Sequence, residues 1–242
     1  MSTERTTLTI AGLQVEVVRK AIKNLHLGVY PPDGHVRVAA PAYMSDEAVR
    51  VAVSTRLGWV RRQQARFAGQ ARQSEREMVH GESHYYLGVR YRLLVEEVDA
   101  PPQVRLHGGN KLVLQVRPGA DADRRRSVLD AWYRAELKRR IPPLLEQWQP
   151  QIGVEVAGWG VKRMKTRWGS CNIAARRIWL NLELIKKPPH CLEYVLVHEL
   201  VHLLERHHNE RFHALMDRYL PQWRLHRDEL NRAPLAHEDW EY

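Results

Sequence analysis

From Leu8 to about Ala40 apolar and polar residues alternate with a period of two, as in Leu13-Gln-Val15-Glu-Val17, Leu25-His-Leu27-Gly-Val29-Tyr30 and Val36-Arg-Val38. That period turns every second side chain to one face and predicts β-strands, with Pro31-Pro32-Asp33-Gly34 as the turn between the last two. The period then lengthens. Ser45 can cap a helix with Asp46 and Glu47 in its first turn, and Val49, Val53, Leu57 and Val60 recur on one face, continuing into the Arg- and Gln-rich stretch 61–77. Alternation returns at Tyr86–Val95, Val104–Leu106 and Leu112–Val116, the last two joined through Gly108-Gly109-Asn110. The first part therefore reads as an antiparallel sheet with one helix laid on it, with no internal repeat visible.

Near Arg117-Pro118-Gly119 the pattern changes. From Asp121 to about Trp148, Leu129, Trp132, Leu137, Ile141 and Leu145 mark a helix that Pro142-Pro143 should kink or divide. Short alternating segments, Val154–Val156, Val161–Met164 and Ile178–Asn181, surround the loop Thr166-Arg167-Trp168-Gly169-Ser170-Cys171-Asn172. After Pro188-Pro189 a helix is predicted from about His190 to His207, with further helix from Asn209 to Tyr219 beyond a break. The fold class is α+β. Residues 1–118 form a β-rich region with one long helix, and 119–242 form a second region that carries the chemistry, or both make one continuous domain.

Composition narrows the classes. With 242 residues, 44% hydrophobic and 27% charged, the chain can bury a core and is not collagen-like, coiled-coil or disordered. Lys+Arg 38 against Asp+Glu 28 gives a net charge of +10, which would attract polyanions such as nucleotides or nucleic acid but equally describes a basic, solvated surface. Two cysteines, Cys171 and Cys191, are too few for a disulfide framework or a cysteine-rich zinc module, so a reducing compartment is expected. The N-terminus lacks a secretory pattern and no apolar run is long enough to cross a bilayer, which makes the cytoplasm the default and excludes a membrane partner.

The sharpest chemical signal is His198-Glu199-Leu200-Val201-His202. Histidines four apart on a helix stack one turn above the other, so both imidazoles can reach one Zn²⁺. At about 100° per residue Glu199 lies beside that face, where its carboxylate can hydrogen-bond a metal-bound water. Thirteen histidines make accidental pairs common, so a third ligand matters. His208, six residues after His202, can supply it only if the helix breaks, because a straight helix would rotate it away. Glu205 stands where the metzincin group has Gly. His207 and His213 are rivals by adjacency, and all these histidines could simply decorate a surface helix. Three neutral imidazoles leave one position for water, whose pKa zinc can bring to about 7, and Glu199 can take its proton as it attacks a carbonyl and pass it to the leaving amine. Tyr194, one turn before His198, is a candidate oxyanion donor, or a tyrosine that fills the core.

Thr166-Arg-Trp-Gly-Ser-Cys171, Leu180-Asn181, Tyr194-Val-Leu-Val-His-Glu-Leu-Val-His202, His208 and Phe212 together resemble the YgjP-like family of zinc metallopeptidases, related to the SprT-like and WLM proteases. The resemblance extends to Tyr86-Leu-Gly88 and Trp132-Tyr133. It implies a C-terminal zincin-like core with the HExxH helix, His198, His202 and His208 as zinc ligands, and Glu199 as general base. The chain departs from the family's pattern at Asn209, usually Ser, and His213, usually Trp.

The Arg167–Cys171 loop has no separate catalytic logic. It can be a packed brace in which Gly169 allows a tight turn, or Arg167 and Ser170 can bind substrate carbonyl or carboxylate groups. Cys171 is better read as a buried or loop thiol than as a nucleophile. The function expected first is hydrolysis of peptide or protein substrates by zinc-activated water. One alternative is metal-dependent nucleotide pyrophosphohydrolysis, with Lys162, Arg163, Lys165 and Arg167 drawing in the anion. Another is a nucleic-acid-associated protease or binding module using Arg124-Arg-Arg126, Lys138-Arg-Arg140 and 162–167, runs that can also be plain solvated faces.

Overall fold

Most of the period-two segments become strands in the computed structural model, Val154–Val156 being an exception; the structure describes residues 5–30, 34–69, 76–164 and 167–232. Pro31–Asp33, residues 70–75 of the Arg/Gln-rich stretch, and Lys165 and Thr166 of the basic cluster and loop lie outside the described residues. The chain divides into two units, Met1–Gln73 and Ser74–Glu238.

In the first unit β1 (Arg5–Ile10), β2 (Leu13–Lys20), β3 (His26–Tyr30) and β4 (His35–Pro41) form one sheet in the order β1-β2-β4-β3. The hairpins β1–β2 and β3–β4 are antiparallel, but the inner pair β2–β4 is parallel, so the sheet is mixed where an antiparallel one is expected. The chain leaves β2, crosses to the far edge to lay down β3, and returns beside β2. Val15, Val17, Val36 and Val38 bury one face against Val49 and Val53 of α1 (Asp46–Ser54) and Val60 of α2 (Leu57–Gly69). Ser45 caps α1, its Oγ accepting from the Ala48 amide at 3.2 Å. The expected single helix is two, because α1 closes at Thr55.

The second unit begins with β5 (Ser83–Tyr86), β6 (Val89–Glu97), β7 (Gln103–His107) and β8 (Lys111–Val116), ordered β5-β6-β8-β7. Strand order and directions repeat those of the first sheet, inner parallel pair included. Even the first turns match: Ala11-Gly12 and Leu87-Gly88 both take positive φ, 47° and 81° against 51° and 81°. An internal repeat therefore exists in topology, although side-chain identities conceal it. The sheet buries Leu93, Leu112, Leu114 and Val116 against Leu129, Tyr133 and Leu137 of α3 (Ala122–Ile152). That shared core joins β5–β8 to α3 within the second unit.

Helix α3 runs through Pro142, Pro143 and Pro150 undivided. Each interior proline forfeits a backbone hydrogen bond at roughly 3 kcal/mol, and burial of Ile141, Leu145, Trp148 and Ile152, about 2 kcal/mol apiece, offsets that loss. There follow β9 (Gly158–Lys162), β10 (Gly169–Asn172) and β11 (Arg177–Asn181), ordered β10-β11-β9, then a 3-10 turn at Leu182–Lys186 and helices α4 (Pro189–Val201), α5 (Glu210–Tyr219) and α6 (Trp223–Arg232). The Leu87-Gly88 turn sets the start of α4. Its amides donate to the Ile185 and Lys186 carbonyls at 2.9 and 3.2 Å, and a Cβ on Gly88 would stand 2.8 Å from Pro188. Among the described residues no helix is long and apolar enough to cross a membrane.

Candidate metal centre

Pro189 opens α4, where its missing amide hydrogen costs nothing. Leu192, Val195, Leu196, Val197, Leu200 and Val201 are all buried, so α4 is apolar nearly all round and threads the core. The helix stops at Val201, six residues before the expected end. Leu203 and Leu204 donate to Leu200 and Val201, tightening the last turn to 3-10 spacing, and Asn209 then caps α5 by accepting from the Phe212 amide at 3.0 Å. Asn209 thus does what a Ser can do at a helix start.

The break turns His208 back toward α4. His198 Nε2 lies 3.1 Å from His202 Nε2 and 3.0 Å from His208 Nε2, and the Phe212 ring packs under all three imidazoles at 4.9, 4.7 and 4.8 Å between centroids. His202 Nδ1 donates to the Glu205 carbonyl at 3.1 Å, which leaves the Nε2 lone pair facing its neighbours. A tetrahedral zinc with bonds of 2.0–2.1 Å would hold its ligand nitrogens about 3.3 Å apart. The donor set and its spacing fit such an ion. Burial pushes the pKa of His198 down to about 3, with His202 and His208 adding to the shift, and lowers those two as well, so all three stay neutral as ligation requires. His198 Nδ1 is buried and has no hydrogen-bond partner among the described residues. His207 does not join the group, and His213 stacks on Trp223 of α6, with centroids 5.7 Å apart and planes 14° apart.

Glu199 is 5% exposed, and burial raises its pKa to about 8 against the opposing charge of Arg167. Its carboxylate rests on β10, where a Cβ at Gly169 would meet it. Gly169 is therefore needed for close approach, and not for the tight turn that the sequence suggests. The loop is tied by Asn181, fully buried. Its Nδ2 donates to the Met164 and Arg167 carbonyls at 2.7 Å each, its Oδ1 accepts from the Met164 and Glu183 amides, and its own amide donates to the Trp168 carbonyl.

A cleft of about 1230 Å³ opens over this cluster, lined by His198, Glu199, His202 and His208 and by the three other residues singled out from sequence, Arg167, Ser170 and Tyr194. Arg167 is exposed and Ser170 half-buried, whereas Tyr194 is 7% exposed, its ring edge-on to His198 and stacked on Trp223, with burial raising its phenol to about 12. Burial and the charge of Glu199 push the Cys171 thiol up to about 11, which argues against a thiolate nucleophile. Arg206, Arg227 and Leu230 also line the cleft. The last two sit on α6, an element with no signal in the sequence beyond Trp223 and Leu230.

A family model described as "YgjP-like, metallopeptidase domain" matches residues 23–233, and the chain belongs to that family. A metallopeptidase domain implies a divalent cation. No curated protein and no solved structure matches the chain.

Proposed function

We propose that the second unit is a zinc metallopeptidase with a zincin-like core, in which His198, His202 and His208 hold the ion and Glu199 is the general base. The convergence of three imidazole nitrogens beside one buried carboxylate carries the proposal. Zinc supplies Lewis acidity and a bound water acidic enough to ionise near neutrality. Glu199, buried beside the three imidazoles, would take a proton from the attacking water and deliver it to the leaving amine, the nearby cation favouring the carboxylate form that a base requires. Tyr194 is the donor assigned to the developing oxyanion, and Arg167 and Ser170 the residues assigned to substrate carbonyl or carboxylate groups, an assignment supported by the presence of all three in the cleft lining.

Strand β10 favours a peptide substrate. It is an edge of its sheet, and Gly169, Ser170, Cys171 and Asn172 line the cleft, so an extended chain can add alongside it. Two of the four cations invoked for a nucleotide are engaged elsewhere: Arg163 pairs with Asp130 at 2.8 Å and Lys162 lies over Trp179. In the other basic runs Arg125 pairs with Glu97, Arg126 with Asp123, and Arg139 and Arg140 with Glu136. Peptide turnover by the zinc-loaded wild type should vanish in Glu199→Gln while metal content stays, and undiminished turnover in that variant rejects the mechanism.

A further inference from the structure

A second group of ligand-bearing side chains lies at the opposite end of α4 from the three histidines. His190 sits in the first turn of α4, and it faces His226 and Glu229, which stand three residues apart on one side of α6. His190 Nε2 is 2.6 Å from Glu229 Oε2, and the His190 and His226 rings lie 4.7 Å apart with 35° between their planes. One ligand atom from each of the three falls within 4.8 Å of the other two. Both histidines are half-buried and Glu229 is exposed, so the group is anchored on one side and open to solvent on the other.

We propose that His190, His226 and Glu229 form a second metal site, for a borderline divalent transition-metal ion such as zinc, cobalt or nickel. Two imidazole nitrogens and one carboxylate oxygen suit that class, whereas calcium and magnesium take shells made mainly of oxygen. Water completes the coordination from the solvent side. On binding, the ion takes the place of the direct contact between His190 Nε2 and Glu229 Oε2.

The site joins two elements that matter to the cleft. Helix α4 carries His198 and Glu199 and is capped by His202, and α6 contributes Arg227 and Leu230 to the wall of the cleft. Trp223, at the start of α6, stacks on Tyr194 at 6.5 Å. An ion held by His190, His226 and Glu229 staples α6 to the first turn of α4 and so fixes that wall. This role does not depend on the catalytic reading of His198, His202 and His208.

Calorimetric titration of the metal-stripped full chain with zinc tests the assignment. Wild type should bind two equivalents. His226→Ala should retain only the tighter event, and Glu229→Gln, which keeps the side chain's shape, should weaken the second event at least tenfold. The double variant H198A/H202A should lose the tighter event and keep the second, and zinc should raise its thermal midpoint. One equivalent in wild type that disappears in H198A/H202A, or a second event unchanged in both His226→Ala and Glu229→Gln, overturns the site. Failure of the double variant to lose the tighter event bears only on the catalytic proposal.

Discussion

Gly169 on β10 and Glu199 on α4 are in direct contact: a Cβ built at residue 169 would lie 2.5 Å from Oε1, 2.8 Å from Cγ and 2.9 Å from Cδ of Glu199. The carboxylate is buried at 5% exposure, so its inner atoms have little room to retreat. Gly169→Ala should therefore displace the carboxylate while leaving the three imidazoles in place. A shift on the order of 1 Å in a reacting group can cost about a hundredfold in rate. Peptide turnover should fall by that order with zinc content near the wild-type value. Wild-type kcat in this variant would show that the contact does not set the carboxylate's position.

Asn181 should matter to stability more than its single side chain suggests. All four hydrogen-bonding positions of its amide are used, at a residue with no solvent exposure. Asn181→Ala leaves the Met164 and Arg167 carbonyls without these donors in part-buried surroundings, and a hydrogen bond of this kind contributes about 1 kcal/mol. Urea denaturation should show a loss of about 2 kcal/mol or more. Asn181→Asp should not rescue it, because a carboxylate cannot donate to two carbonyls. A midpoint within experimental scatter of wild type would remove Asn181 as the tie of the loop.

How far the sequence could be read depended on how local each cause was. The His198–His202 pair is legible because one helical turn brings its members together whatever surrounds them. His208 required a break, and the histidine spacing itself demanded one; its true location at Val201 depends on the tightened last turn and the Asn209 cap. Most strands followed from alternation, although Gly169–Asn172, read as loop, is β10 and the alternating Val154–Val156 forms no strand; the parallel pairing of β2 with β4 and of β6 with β8 did not, since nothing in a strand's own pattern names its neighbour. The prolines of α3 mislead for the same reason: their local cost is real, and the offsetting burial is tertiary. Arg227 and Leu230 reach the cleft only because Trp223 docks α6 against Tyr194 and His213, a contact without a motif.

His208 and His213 offer a contrast between ligation and packing. Both are histidines near Phe212, but only His208 brings a ring nitrogen to 3.0 Å from His198 Nε2, whereas His213 lies flat on Trp223. His208→Ala should weaken zinc binding at the catalytic centre by a hundredfold or more, as read by competition with a chelator. Because His208 is exposed, it should change the metal-free thermal midpoint little. His213→Ala should leave affinity close to wild type. Equal losses in the two variants would contradict the assignment of His208 as the third ligand.

Tyr133 sets a stability limit on the alkaline side. Its ring is 1% exposed in the core between α3 and the second sheet, its hydroxyl donates to the Tyr85 carbonyl at 2.8 Å, and burial, aided by the charge of Glu183, raises its pKa far above the usual 10. In the unfolded chain this phenol ionises near pH 10, while in the folded chain it keeps its proton. The folded state then binds more protons than the unfolded one, so stability falls as pH rises above 10, by up to about 1.4 kcal/mol per pH unit from this group. Tyr133→Phe removes that contribution but also strips the Tyr85 carbonyl of its donor, at about 1 kcal/mol. Urea midpoints should thus place Tyr133→Phe below wild type at pH 8, with the gap narrowing as pH passes 10. Parallel curves for the two proteins across that range would mean that the buried phenol does not govern the alkaline slope.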